Sequence, residues 1–236
     1  MSFIVTIDGP AGAGKSTVAR RLANLLDFTY LDTGAMYRSV AWAARQCSVD
    51  ISDHDALITM ARATTIEFGI LSQDGKQTIH VNGVDVTADI RTPEVSALTS
   101  TIAVVGSIRT IVVEQQRNIA GAARVGVVLE GRDTGTVVFP GAQLKVFLTA
   151  SAEERARRRT EELSARGVTA SYDAILQDQL ERDLRDSTRA VSPLVPASDA
   201  VHVSTDSKTV DQVVEEILAL QRGRGETREA AGEPGK

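Results

Sequence analysis

Cysteine is nearly missing from this chain: Cys47 is the single one among 236 residues. One thiol excludes an internal disulfide and a cysteine-based zinc cluster. The three histidines, His54, His80 and His202, show no ligand spacing either. Long apolar runs are missing too, and none approaches the roughly 20 residues that a membrane-crossing helix needs. The start, Met1-Ser2-Phe3-Ile4-Val5, has no basic segment followed by a long apolar stretch. No secretory signal is visible, and a cytoplasmic location is expected. Positive charge is not in excess: the net charge is −5. A general nucleic-acid binder would need a basic surplus to meet phosphates. Nor is there an internal repeat.

What is present is an ordinary globular composition, 42% hydrophobic and 24% charged, enough for one substantial core. The arginines are unevenly placed, in one cluster at 155, 157, 158 and 159 and another at 182, 185 and 189. Local arginine clusters on an acidic chain suit a small phosphorylated ligand better than a long polyanion. The expected partners are therefore small molecules, with no nucleic acid and no membrane, and the expected acting unit is a monomer.

Along the chain, Phe3 to Ile7 reads as a buried strand running into a glycine-rich turn. A helix is expected from Lys15 to about Leu26, with Val18, Leu22, Leu25 and Leu26 as its apolar stripe. A short strand, Thr29 to Leu31, precedes a second helix with Thr33 as its expected N-cap. Strand–helix–strand–helix order argues for a parallel α/β sheet. Residues 65–87 break this order: Ile66 to Ile70, Thr78 to Val81 and Val84 to Val86 read as a small antiparallel meander around Asp74-Gly75 and Asn82-Gly83. Helical periodicity returns after Thr92-Pro93-Glu94. Val125 to Leu129 and Leu144 to Leu148 read as central strands. Helices are expected at about 152–165, 171–186 and 209–221, with a last strand near Ala200 to Val203. From Arg222 no large apolar residue follows, so 222–236 is expected to be a disordered tail.

The most specific motif is Gly9-Pro10-Ala11-Gly12-Ala13-Gly14-Lys15-Ser16, a match to G-x-x-x-x-G-K-[ST] between a strand and a helix. Glycines let successive N–H groups turn toward one anion, and the helix start adds its positive dipole end. Lys15 can reach β- and γ-phosphates, and the Ser16 hydroxyl can hold Mg²⁺. A GTPase should carry N-K-x-D, yet none of Asn24, Asn82 or Asn118 precedes a lysine. A motor ATPase needs an acidic pair ending a strand, and Val128-Leu129-Glu130 matches this only in part. A kinase needs a second anionic site, which arginines at strand ends can build. Leu31-Asp32-Thr33-Gly34-Ala35-Met36-Tyr37-Arg38 and Arg132-Asp133 stand at such positions.

The stretches GPAGAGKST, DTGAMYR, EGRDTGTVVFP, ERARRR and ERDLRDSTRAVSPL, in this order, resemble bacterial cytidylate kinases from about Phe3 to Leu220. The resemblance implies an α/β, three-layer P-loop fold with a central parallel sheet, an antiparallel insert enlarging the monophosphate-binding part, and a helical lid. It implies a core at 1–64 and 88–221, the insert at 65–87 and the lid at about 151–170. The phosphate loop through Thr17 would bind ATP with Mg²⁺. Ser100, Arg109 and Asp133 match positions contacting cytosine, and Tyr37 one packing on the acceptor nucleotide. Arg38, Arg132 and Arg189 match acceptor-phosphate or neighbouring contacts, and Arg182 and Asp186 match ribose contacts. Thr33 stands where serine also occurs. Arg155, Arg158 and Arg159 match the lid and, spaced i, i+3 and i+4, are expected on one helical face. With Lys15 they form the expected catalytic set. The expected reaction is ATP plus CMP or dCMP giving ADP plus CDP or dCDP. Alternatives are a kinase for another small acceptor such as UMP, or a nucleotide-dependent switch or assembly ATPase.

Overall fold

The apolar β-branched start forms strand β1 (Phe3–Asp8), the middle of a five-stranded sheet. The structure is a computed structural model and describes residues 2–165 and 167–231. β2 (Thr29–Asp32), β6 (Gly126–Gly131), β7 (Leu144–Thr149) and β8 (Val201–Ser204) complete the sheet in the order β2-β6-β1-β7-β8, all parallel. In register, Asp8 lies opposite Gly131, and Asp32 opposite Glu130. The carboxyl ends of three strands therefore open on one edge. From β1 the chain moves outward to β2 on one side, and from β6 it crosses β1 to β7 on the other. Ligands of open α/β sheets gather at such a reversal.

Both sheet faces are buried, which parallel strands require. Val127 and Leu129 pack into one core with α2 (Thr33–Gln46), α3 (His54–Ala63), α4 (Pro93–Ile102) and α5 (Gly106–Gly121). Val128 packs into the other, with α1 (Lys15–Leu26) and α8 (Val210–Ala231). The three-layer parallel architecture is the expected one. The small antiparallel sheet is also present, in the order β3-β4-β5, over Ile66–Phe68, Ile79–Val81 and Val84–Asp85. Gln77 ties it to the main sheet by donating to the Tyr30 carbonyl at 3.3 Å. α6 (Ala152–Ala165) and α7 (Tyr172–Thr188) pack on each other above the carboxyl edge.

Three local expectations are corrected. Thr33 is not the cap of α2. Asp32 is, with extended backbone and a carboxylate accepting from Ala35 N at 2.8 Å. Thr33 is already helical, and its hydroxyl donates to the Glu130 carbonyl at 2.6 Å. α3, capped by Asp53, is an additional helix that the sequence did not announce. Finally, α8 runs ten residues past 221, to Ala231, where a disordered tail was expected. The helix is nucleated by its buried Val213, Val214 and Ile217, so each further residue needs only one added bond, although a glycine costs about 1 kcal/mol against alanine. Arg224 also donates to the Gln143 carbonyl at 2.9 Å. Residues 232–236 of the expected tail lie outside the described residues. No single described helix is long and apolar enough to cross a membrane.

Candidate active site

The turn after β1 is shaped by close packing. A side chain at Gly9 would bring its Cβ to 2.0 Å from the Leu148 carbonyl oxygen. Gly14 takes φ 88 as the N-cap of α1 and offers no capping side chain. The first N–H groups of α1 are thus left for an anion. Lys15 is buried, its Nζ donating to the Pro10 carbonyl at 2.7 Å. Burial lowers its pKa to about 7, Arg132 and Arg182 push the same way, and Glu130 and Asp8 oppose. This is an ammonium short of negative charge. Polyphosphate arriving here should restore the ordinary lysine range. At pH 8, ATP binding is therefore expected to take up to about one proton from the buffer, falling toward none at pH 6. Calorimetry in buffers of different ionisation enthalpy measures this, and no uptake at pH 8 would mean that Lys15 is already charged in the empty site.

Below the loop lies a set of acids at the strand ends. The Ser16 hydroxyl donates to a Glu130 carboxylate oxygen, and the Tyr30 hydroxyl donates to the same oxygen at 3.1 Å. Burial, with Glu130 and Asp32 nearby, pushes the Tyr30 phenol well up. Asp8 is buried and accepts from Thr134 N, Thr134 Oγ1 and Gly135 N at 2.9, 2.8 and 2.7 Å. Its pKa is raised because desolvation outweighs those donors. Sequence reasoning assigned no role to Asp8 or Asp32 and treated Glu130 only as a partial acidic match. The available signal was positional: each acid ends an apolar strand.

Beside the loop is a cleft of about 600 Å³. Thr33, Tyr37, Arg38, Ser100, Arg109, Arg132, Asp133, Arg182, Asp186 and Arg189, the residues that the sequence assigns to an acceptor, all line it. They come from α2, α4, α5, α7, the residue following α7 and the turn after β6. Six arginines stand against two carboxylates in the lining, a balance that favours an anion. Arg109 Nη2 donates to Asp133 Oδ2, and both residues are buried. Arg109 Nη1 donates to the Ala103 carbonyl at 3.0 Å, and its guanidinium lies 5.1 Å from the Tyr37 ring centroid. Arg189 Nη2 is 4.0 Å from Asp133 Oδ1. Arg132 donates to Asp186 at 2.8 Å, and Arg38 is 3.4 Å from Asp32. Burial, reinforced by neighbouring arginines, lowers the pKa of Arg182 and of Arg189. Arg38 Nε, Arg109 Nε and the Tyr37 hydroxyl are buried with no protein partner. Unpaired buried donors beside a cleft fit a polar, negatively charged ligand.

The guanidiniums of the α6 arginines do not converge on one partner. Arg155 is buried, with Nη1 donating to the Ala11 carbonyl of the loop at 2.9 Å and Nη2 donating to Asp183 at 2.6 Å. Arg158 donates to the Thr205 carbonyl at 2.7 Å and to Thr205 Oγ1 at 3.0 Å. Arg159 turns outward to Glu162 at 2.7 Å, with its side chain 46% exposed. Helical spacing placed the three stems together, but their different partners separate the guanidiniums. Asp183 and Thr205, which fix two of them, gave no sequence signal.

A family model described as cytidylate kinase matches residues 5–222. A cytidylate kinase from Desulforamulus reducens is 47% identical over 221 residues, covering 93% of this chain and 97% of the relative. A bifunctional pantoate ligase/cytidylate kinase from Prochlorococcus marinus is 49% identical over 220 residues, covering 93% of this chain and 43% of the relative. Among solved structures, TT1252 from Thermus thermophilus matches with a TM-score of 0.50 at 15% identity, covering 94% of this chain and 97% of that one. That last likeness concerns the fold alone.

Proposed function

The chain belongs to the cytidylate kinase family, and from that membership we propose how its two neighbouring subsites divide the reaction. The activity is ATP-dependent phosphorylation of CMP and dCMP, giving ADP with CDP or dCDP. The observation that carries the division of labour is the adjacency of the subsites. The Ser16 hydroxyl of the phosphate loop donates to Glu130, and Asp8, just before the loop, lies opposite Gly131, while Gly131 and Arg132 line the acceptor cleft. A phosphoryl group held by the loop would therefore lie beside the cleft.

The loop N–H groups and Lys15 bind the donor phosphates, Arg38, Arg132 and Arg189 draw the acceptor phosphate into line, and Arg182 reaches the ribose. That phosphate is already ionised at neutral pH, so no strong general base is required. Catalysis rests on positioning and on cations set where charge spreads in the transition state. Asp133 accepts from the cytosine N4 amino group with the oxygen that Arg109 does not occupy, and uracil would turn a carbonyl toward the same carboxylate. Ser100 and Arg109 donate to the base, Tyr37 packs on the acceptor nucleotide and Asp186 accepts from ribose hydroxyls after releasing Arg132. The Ser16 hydroxyl and Glu130 suit a hard cation such as Mg²⁺, which would neutralise phosphate charge when bound. Among the described residues no group of three or more His, Cys, Asp or Glu could hold a metal by itself. The nucleotide phosphates would then supply the remaining oxygens.

Both subsites come from one chain, so a monomer working on small nucleotides is sufficient, without nucleic acid or membrane. A cytoplasmic location suits an enzyme whose substrates are ATP and CMP.

A coupled ADP assay with CMP, dCMP, UMP and AMP tests the reading. ADP formation should rise sharply with CMP and dCMP and stay low with UMP and AMP. Equal rates with and without any acceptor would instead fit a switch or assembly ATPase. The α6 arginines should separate in the same assay. Arg155→Ala and Arg158→Ala are expected to lower kcat about tenfold or more, and Arg159→Ala to stay within about twofold of wild type. A strong loss for Arg159→Ala would return it to the phosphate site.

A further inference from the structure

Asp8 ends β1 and immediately precedes Gly9, the first residue of the donor loop. Its carboxylate closes on the turn after β6. One oxygen accepts from both the backbone N–H and the hydroxyl of Thr134, at 2.9 and 2.8 Å. The other accepts from Gly135 N at 2.7 Å. Two successive amides closing on one carboxylate form a small anion nest. Thr134 and Gly135 directly follow Arg132 and Asp133 and open the single π-helical turn Thr134–Val138. The fit leaves no slack. A Cβ at Gly135 would lie 2.9 Å from Thr6 Oγ1 and 3.4 Å from Asp8 Oδ2, and one at Gly131 would lie 2.6 Å from Thr33 Oγ1.

These contacts join two segments that are distant in sequence and adjacent in the reaction. The β-sheet register sets Asp8 opposite Gly131, but ladder bonding ends there. Beyond Gly131, the path of the acceptor turn is fixed by the Asp8 carboxylate from below and by the Asp133–Arg109 pair from the side. We propose that Asp8 is a positioning residue that registers the acceptor turn 131–135 against the donor loop, and so sets where Asp133 and Arg132 meet CMP. The carboxylate touches neither nucleotide. It acts through the backbone of Thr134 and Gly135, and its effect falls on acceptor binding and base choice. The inference rests on the CMP-kinase reading.

Two variants test it. Asp8→Asn keeps the shape but sets an amide NH₂ against Gly135 N–H, donor facing donor. Thr134→Val keeps the shape and removes only the hydroxyl donor. At a temperature where each variant is folded by circular dichroism, Asp8→Asn should raise KM for CMP roughly tenfold and lower the CMP:UMP ratio of kcat/KM by a similar factor. KM for ATP should stay within about twofold. Thr134→Val should shift KM for CMP in the same direction by about two- to threefold, and it carries the test if Asp8→Asn does not fold. A purely structural role would lower melting temperature without moving the CMP:UMP ratio. Unchanged acceptor KM and ratio in folded variants overturn the inference, as does a rise in ATP KM equal to that for CMP. Wild-type enzyme lacking CMP-dependent ADP formation would instead overturn the functional reading.

Discussion

Lys15→Ala is expected to give a folded protein whose CMP-dependent ADP formation is lower by about a hundred- to a thousandfold, from loss of a preorganised charge on the transferring phosphoryl group. Each deleted contact of this kind typically costs about 3–4 kcal/mol in the transition state. Lys15 is buried and supplies the loop's side-chain cation, with no second lysine in the loop to take its place. The sign of the stability change separates this outcome from unfolding. In the empty site burial lowers the Lys15 pKa to about 7, so the charged form is disfavoured in the folded state. The unfolded chain keeps its proton up to the ordinary lysine range. The contribution of this group to stability therefore rises with pH between about 7 and the ordinary lysine value of 10.5, and below 7 it is a fixed cost. Alanine removes that cost and is a strong helix former at the first residue of α1. Melting temperature should hold or rise near pH 7 while turnover collapses. Near-normal turnover in such a folded variant would overturn the phosphate-loop assignment.

What was legible in the sequence was what local chemistry dictates. The span of α1 follows from the glycine-rich turn before it and an apolar stripe, and it appears at Lys15–Leu26 as expected, with Val18 and Leu22 buried but Leu25 turned out to solvent. Most members of the cleft follow from the family resemblance and not from spacing: Ser100, Arg182 and Asp186 sit toward the ends of α4 and α7, where no local pattern marks them. The misses have a common cause. The cap of α2 was assigned to Thr33, yet Asp32 competes for the same amide with a stronger acceptor, and Thr33 is diverted to the Glu130 carbonyl. That carbonyl belongs to a strand 97 residues away. The shared face of Arg155, Arg158 and Arg159 is correct for the stems and wrong for the guanidiniums, whose partners, Ala11, Thr205 and Glu162, lie in three different segments. Asp8 reads in the sequence as the start of the glycine-rich turn; in the structure it ends β1, and Thr134 and Gly135 close on its carboxylate. Periodicity reports which face is buried; it does not report which long side chain finds which partner. The continuation of α8 to Ala231 is a different failure, because low apolar content argues against docking and does not argue against a helix already begun.

At Asp133 stability and base selectivity can be separated. Asp133→Ala leaves Arg109 buried, its Nη2 without the carboxylate it now meets. Removing one member of a buried pair typically costs about 3–5 kcal/mol. For a chain of this size each kcal/mol lowers the melting temperature by about 2–4 °C, so a fall on the order of 10 °C is expected. The same substitution deletes the acceptor for the cytosine amino group. A site built to bond one specific group loses discrimination steeply once that bond is gone. The CMP:UMP ratio of kcat/KM should therefore fall at least tenfold, on the order of the loss expected for one buried hydrogen bond. Adding Arg109→Met to Asp133→Ala removes the stranded cation and fills its space with apolar atoms. Stability should then recover most of what was lost, as it does when both members of a buried pair are replaced, while selectivity should not recover. Asp133→Asn is the intermediate case. Its amide oxygen can still accept from Arg109, so melting temperature should fall less, but the amide NH₂ then faces the base and offers uracil a donor, and selectivity should still drop. If the double variant regains CMP preference along with stability, Asp133 is only the partner of Arg109, and the cytosine must be read elsewhere in the cleft.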